Sequence, residues 1–324
     1  MNKTIFVTRQ IPDTGIHMLK EKGYEVDINP DDVILTQAQL VESLQKKPYD
    51  AVLSLLTDHI DATVYDAAPS VKLYANYATG YDNVDVALAE KRGITVANAP
   101  APFTSEAVAE HTLALMLALA ARIVEADESV RRGQYNGWAP MHFIGTDVLG
   151  KTLGLIGAGR IGERVAHYAK GLGLSIIYTD VVRNERIEAD CGAIYKGTAD
   201  EVLREADIVS LHVPLLDSTK HLINAERLAL MKPIALLINT SRGPVIDEAA
   251  LVAALTTKRI AGAGLDVFEF EPSLSPGLVE LQNVILTPHI ASASIAARDQ
   301  MAEITAQNII DFFEGRIPKY AVHA

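Results

Sequence analysis

One stretch, TLGLIGAGRIGERVAHYAKGLGLSIIYTD from Thr152 to Asp180, constrains the fold of this chain more than any other. An apolar, strand-like run leads into Gly157, Gly159 and Gly162, spaced G-x-G-x-x-G, with Arg160 and Ile161 between the last two. A helical pattern follows, then a second strand that ends in Asp180. In such a turn the first glycine permits the sharp bend, the second lets the backbone approach a pyrophosphate, and the third lets helix and strand pack closely. The helix N-terminus adds amide donors and a partial positive charge. Asp180, eighteen residues after Gly162, is placed to accept hydrogen bonds from ribose hydroxyls and to repel a 2′-phosphate. The segment predicts a dinucleotide-binding βαβ unit that prefers NAD to NADP, with Arg183 three residues further on to soften that preference.

The rest of the chain has the same rhythm. TIFVT, YEVDI, AVLSL, VKLYA and ITVAN alternate with helical patterns in the first hundred residues. TLGLI, SIIYT, DIVSLHV, IALLIN, AGAGLDV and NVILTPH form a second alternating series. Alternation of this kind predicts an α/β fold with two doubly wound parallel sheets; the expected domains are a flavodoxin-like substrate domain and a Rossmann domain. Between the two series a single helix is expected from Ser105 to Arg132, capped by Thr104, long enough to bridge domains or to meet a second subunit. A last helix, from about Ser294 to Gly315, follows a complete second sheet and is expected to return to the first domain. The expected division is residues 1–99 plus 292–324, a discontinuous substrate domain, and 100–291, the NAD-binding domain, with a dimerisation helix and arm near 105–145 and a cleft between the two domains.

At 324 residues the chain has room for two cores, and its formal net charge of -12 argues against a nucleic-acid partner. The longest apolar run, Leu113 to Ala121, falls well short of the ~18 residues that a membrane span needs. Cys191 is the only cysteine, so no intrachain disulfide can form, in keeping with a reducing compartment. The expectation is a cytoplasmic protein with no membrane partner. No metal-ligand cluster is visible, because the histidines are scattered and no cysteine pair exists.

Three more segments carry chemistry. INTSRGPVIDEAAL places Arg242 after a strand, GLDVFEFEP places Asp266 at a strand end with Glu271 soon after, and LTPHIASAS places His289 after another strand and before small residues. All three belong at the C-terminal edge of the second sheet, where open α/β sheets bind ligands. Arginine offers a planar, bidentate partner for a substrate carboxylate. Histidine suits proton donation to an oxygen that becomes an alkoxide as hydride arrives, and a neighbouring glutamate orients the ring and favours its charged form.

The segments GKTLGLIGAGRIG, SLHVPL, MKPIALLINTSRGPVIDEAAL, AGAGLDVFEFEP and NVILTPHIASAS resemble the D-isomer-specific 2-hydroxyacid dehydrogenases. ANYATGYDNVDV and the NAP at Asn98 to Pro100 are most similar to the glyoxylate/hydroxypyruvate reductase branch. The resemblance implies that Arg242 binds and polarises a keto acid and that Glu271 and His289 form the acid–base pair. It implies that the backbone around Ala78, Thr79 and Gly80 holds the substrate carboxylate, that Asp266 and the Thr240 carbonyl hold the nicotinamide amide, and that His212 and Pro214 line the cofactor. It implies a homodimer. Trp138, the only tryptophan, is either a substrate-closing residue supplied to a second subunit or a core side chain. His111, on an apolar helix, is expected to be a packed structural histidine, and His142 has no assigned role. Some archaeal-type members carry basic residues where this chain has TDVVRN, and Asp180 resembles the NAD-preferring form.

The expected function is NADH-dependent reduction of small 2-keto acids such as glyoxylate or hydroxypyruvate. One alternative keeps the chemistry on a bulkier keto acid such as phenylpyruvate. Formate or phosphite on the same scaffold is a further alternative, but formate enzymes of this superfamily carry glutamine where Glu271 stands. An NAD-sensing, corepressor-like binding protein is the alternative of a different class.

Overall fold

Strand propensity and parallel pairing set the framework of the computed structural model, which describes residues 3–324. The first unit runs to Thr104 and resumes at Ala293–Ala324. Its strands are β1 (Thr4–Val7), β2 (Glu25–Ile28), β3 (Ala51–Leu55), β4 (Leu73–Tyr77) and β5 (Thr95–Ala97). They pair in the order β5-β4-β3-β1-β2, all parallel, and the two-residue strand Ala321–Val322 adds to β5 antiparallel. Apart from that added edge, this is the flavodoxin-like 2-1-3-4-5 order. The helix Ile295–Phe313, capped by the Ser294 hydroxyl, packs on the helix Asp13–Glu21. A Cβ on Gly15 would lie 2.5 Å from the Ala302 carbonyl oxygen, so the two helix backbones cross closely at that glycine.

The second unit, Ser105–Ser292, carries β6 (Thr152–Ile156), β7 (Ser175–Thr179), β8 (Ile194–Tyr195), β9 (Ile208–Leu211), β10 (Leu236–Asn239), β11 (Gly262–Leu265) and β12 (Val284–Leu286). Their order, β12-β11-β10-β9-β6-β7-β8, is parallel throughout. It matches the 3-2-1-4-5-6 Rossmann order with one strand added at the end. The order reverses between β6 and β9, and ligands of such sheets bind beyond the strand ends at that point. The two-residue strands β8 and Ala321–Val322 lacked a sequence signal.

The expected single helix at 105–132 is instead two, Pro102–Ala120 and Ile123–Arg131, set 64° apart. Arg122 adopts the left-handed conformation at φ 55° and its guanidinium pairs with Glu125. The Thr146 amide donates to the Ala120 carbonyl, ending the first helix, and Gly145 lies against the same carbonyl. Thr104 does not cap the helix. It sits in the first turn, and the Gln300 side chain accepts from the Phe103 amide instead. The first helix packs on the second sheet, where Gly262 and Gly264 of β11 leave room for Leu119 and Leu115. Among the described residues no single helix is long and apolar enough to cross a membrane.

Candidate active site

The glycine turn follows β6 directly. Gly157 has φ +95°, a conformation L side chains rarely adopt, and a Cβ there would lie 2.6 Å from the His212 carbonyl oxygen. The turn after β6 and the end of β9 thus touch where the strand order reverses. A Cβ on Gly162 would lie 2.4 Å from the Gly157 carbonyl, which fixes the close packing of helix on turn. A Cβ on Gly159 would meet nothing within 4 Å, so the space above the N-terminus of the helix Arg160–Gly171 is open. Arg160 is exposed at that first turn, and Ile161 packs back on the core. Asp180 follows β7, and its carboxylate accepts the Ala158 and Val181 amides, each at 2.6 Å. An open glycine cradle, a helix N-terminus and a fixed carboxylate fit a dinucleotide.

His212 continues β9 and bonds the Ser210 hydroxyl at 2.9 Å, with Pro214 two residues on. Burial pushes its imidazole well below the usual histidine range, so the ring is neutral at physiological pH. Thr240, at the end of β10, is buried and its hydroxyl meets Thr112 at 2.9 Å.

Arg242, Glu271 and His289 follow β10, β11 and β12, which are adjacent in the sheet. The Asn239 side chain ties down the Arg242 carbonyl at 2.9 Å, and the Arg242 guanidinium bonds the Ser241 carbonyl. Gly243 is essential to this arrangement, because a Cβ there would lie 1.8 Å from the Phe268 carbonyl oxygen. The loop that carries Glu271 therefore lies directly on the Arg242 turn. Glu271 accepts the Phe268 amide with Oε1 at 2.9 Å and meets His289 Nδ1 with Oε2 at 2.9 Å. Desolvation pushes the Glu271 carboxyl up, but His289, the Phe268 amide and the Arg242 cation more than offset it and hold the group below the usual carboxylate range. Both side chains remain partly open, 28% for His289 and 32% for Glu271, so a substrate can reach them.

His289 has a left-handed backbone, φ +54°, which is uncommon outside glycine and marks an over-determined site. Its amide donates to the carbonyls of Asp266 and Thr287. The fully buried Asp266 carboxylate accepts the Thr287 hydroxyl at 2.7 Å and the amides of Ile290 and Ala291 at 2.9 and 2.8 Å. Asp266 thus braces the whole turn that presents His289. His111 is partly buried and reaches the back of this turn, with Nε2 3.1 Å from Thr287 Oγ1 and 3.5 Å from Asp266 Oδ1.

In the first unit, Ala78–Gly80 follows β4. The Ala78 carbonyl accepts from Ala99, the Thr79 carbonyl from the Asn98 side chain at 2.6 Å, and the Gly80 carbonyl from the Asn76 side chain at 3.1 Å. Asn76 and Asn98 therefore set the peptide planes of this turn. Trp138 is 84% exposed and is not a core residue. His142 stacks beside Phe143. Among the described residues no group of three or more histidine, cysteine, aspartate or glutamate side chains is placed to hold a metal ion.

Residues 113–291 match the sequence profile of the D-isomer specific 2-hydroxyacid dehydrogenase NAD binding domain. The chain is 48% identical to a glyoxylate reductase of Korarchaeum cryptofilum, over 100% of this chain and 96% of that one. The chain belongs to the D-isomer specific 2-hydroxyacid dehydrogenases. Among solved structures, an NADPH-dependent glyoxylate/hydroxypyruvate reductase from Sinorhizobium meliloti, in complex with NADP and malonate, superposes with a TM-score of 0.87 at 32% identity, covering 99% of this chain and 97% of that one. A D-lactate dehydrogenase from Aquifex aeolicus, complexed with NAD and lactic acid, superposes with a TM-score of 0.86 at 31% identity, covering 99% of each chain.

Sequence reasoning missed the braces of this dehydrogenase. Glu248, buried, accepts the amides of Glu269 and Ser275 at 2.8 and 2.7 Å, while Glu269 accepts the Glu248 amide and pairs with His221. This reciprocal pair holds the loop around Glu271. A buried charged residue at a helix start is a signal only after the helix is placed.

Proposed function

We propose that this dehydrogenase reduces small 2-keto acids, glyoxylate or hydroxypyruvate, with NADH, and that His289 donates the proton. The 2.9 Å contact between His289 Nδ1 and Glu271 Oε2 carries the reading. It commits Nδ1 to the carboxylate and leaves Nε2 to face the substrate. The name glyoxylate reductase borne by its relatives supports the substrate class.

A bound nicotinamide would supply the hydride to the keto carbon. Gly157, Gly159, Arg160, Ile161 and Gly162 would hold its pyrophosphate, Asp180 its adenosine ribose, and His212, Pro214, Thr240 and Asp266 its nicotinamide end. Arg242 grips the carboxylate of the acid and polarises its carbonyl. As the carbonyl oxygen gains charge, His289 Nε2 gives it a proton, and Glu271 steadies the ring. We place the enzyme in the cytoplasm, as a homodimer. Its exposed apolar side chains at Ile123, Val130, Tyr135, Trp138 and Met141 support a second copy there, and equilibrium sedimentation at the monomer mass would overturn it.

The deciding assay follows NADH and NADPH oxidation with glyoxylate, hydroxypyruvate, pyruvate and phenylpyruvate, with His289→Ala as control. Turnover on glyoxylate or hydroxypyruvate with NADH, lost in the control, is the expected result. Preference for phenylpyruvate moves the substrate to bulkier acids. NADH binding without turnover on any acid sinks the enzymatic reading and leaves a cofactor-sensing protein.

A further inference from the structure

Asp180 shares its strand end with an arginine. Arg183 is the arginine of the TDVVRN segment, three residues beyond the aspartate. A 2′-phosphate would arrive at this strand end, and arginine is well suited to grip one. Arg183 is already committed elsewhere. Its Nε donates to Glu188 Oε1 at 3.0 Å and its Nη2 to Glu188 Oε2 at 2.6 Å, a bidentate pair. Its guanidinium lies 5.5 Å from the centre of the Tyr195 ring. Glu188 is itself held, since the Tyr178 hydroxyl donates to its Oε1 at 2.6 Å. Tyr178 in turn accepts the Asn184 amide at 2.8 Å, and the Asn184 side chain donates to the Ala158 carbonyl in the glycine turn at 2.7 Å.

We infer that Glu188 is a specificity-determining residue that keeps Arg183 away from a 2′-phosphate and so disfavours NADPH. This rests on the assignment of the Gly157–Asp180 region to the adenosine end of the cofactor. Two effects act together. The pairing occupies the fork that would bind phosphate. It also leaves Asp180, Arg183 and Glu188 with a net negative charge facing a dianion. An exposed ion pair alone is weak, but this one is bidentate, stacked on a ring and anchored by Tyr178. Replacing Glu188 with glutamine keeps an acceptor for Tyr178, removes one negative charge and weakens the hold on Arg183.

The test measures dissociation constants of NADH and NADPH by nicotinamide fluorescence, which requires no keto acid and so stands apart from any failure of the proposed substrate. Four proteins are compared: wild type, Glu188→Gln, Arg183→Ala and the double variant, with thermal melts to confirm folding. The expected result is about threefold to fivefold tighter NADPH binding in Glu188→Gln, the equivalent of one exposed charge pair gained, with NADH within about twofold. Arg183→Ala alone leaves NADPH binding close to wild type, and the double variant loses the gain. An unchanged NADPH constant in Glu188→Gln overturns the inference and leaves Asp180 as the determinant. A gain that persists in the double variant also overturns it, because the gain would then owe nothing to Arg183.

Discussion

His289 Nδ1 and Glu271 Oε2 stand 2.9 Å apart at the ends of two neighbouring strands, and the glutamate is held from behind by the Phe268 amide. The carboxylate lies below its usual range, so it stays ionised through the neutral and mildly acidic region. Removing either partner therefore has separable effects. His289→Ala should lower kcat by about 10²–10⁴, the usual worth of a general acid. Glu271→Gln, which keeps the shape but not the charge, should lower it less, by roughly 10–10². NADH binding should survive in both. Steady-state kinetics on glyoxylate decide the matter, and a Glu271→Gln enzyme with full kcat would remove the dyad from the mechanism.

Alanine at three glycines should give three different phenotypes. Gly159→Ala adds a methyl group to open space, so the melting temperature should hold while NADH binding weakens. Gly157→Ala is strained at φ +95° and pushes on the His212 carbonyl, so it should destabilise by about 1–3 kcal/mol as well as weaken binding. Gly243→Ala drives a methyl group into the Phe268–Glu269 peptide and should cost about as much, while it lowers keto acid turnover and leaves NADH binding near wild type. Thermal melts with NADH titrations distinguish the three. Equal binding loss in Gly159→Ala and Gly243→Ala would contradict the division of labour between the two turns.

The parallel sheets were legible because their strands are buried runs punctuated by glycine and helix signals, and β6 and β7 fall where the pattern places them. The positions of Arg242, Glu271 and His289 at one edge of the sheet were legible because each follows such a strand. The break at Arg122 was not, since it comes from the Thr146 amide capping Ala120, a contact between segments far apart in sequence. The same holds for Gly243, whose need for a bare Cα appears only when the Phe268 carbonyl is laid on it. Periodicity reports which face a residue is on; it does not report which backbone lands there.

Stability should fall on acidification because of His212. Burial holds its imidazole neutral in the folded protein, whereas the unfolded chain takes up a proton below about pH 6.5. Protons then favour the unfolded state, and stability drops as the pH falls below that point. Urea midpoints at pH 7.5 and 5.0 measure the drop, and His212→Gln should make it smaller. An identical pH dependence in the variant would mean that His212 does not contribute.

His111 should matter to the His289 turn although it touches neither substrate nor cofactor in the proposed mechanism. The Thr287 hydroxyl gives its proton to Asp266, so His111 Nε2 is the donor in its own contact with Thr287. Burial pushes the Asp266 carboxyl up, but hydrogen bonds from His111, Thr287 and the Ile290 and Ala291 amides bring it below the usual range. A depressed carboxylate stabilises the fold above its unfolded pKa of about 4, and that contribution is lost as the pH falls through the lower folded value. His111→Leu removes one of the depressing bonds, so acid unfolding should begin at a higher pH and stability at neutral pH should fall by about 1–3 kcal/mol. The loosened turn should lower kcat several-fold with NADH binding unchanged, and His111→Gln, which retains a donor, should recover part of both losses. If His111→Leu lowers the melting temperature while the acid transition and kcat stay put, the histidine is packing alone.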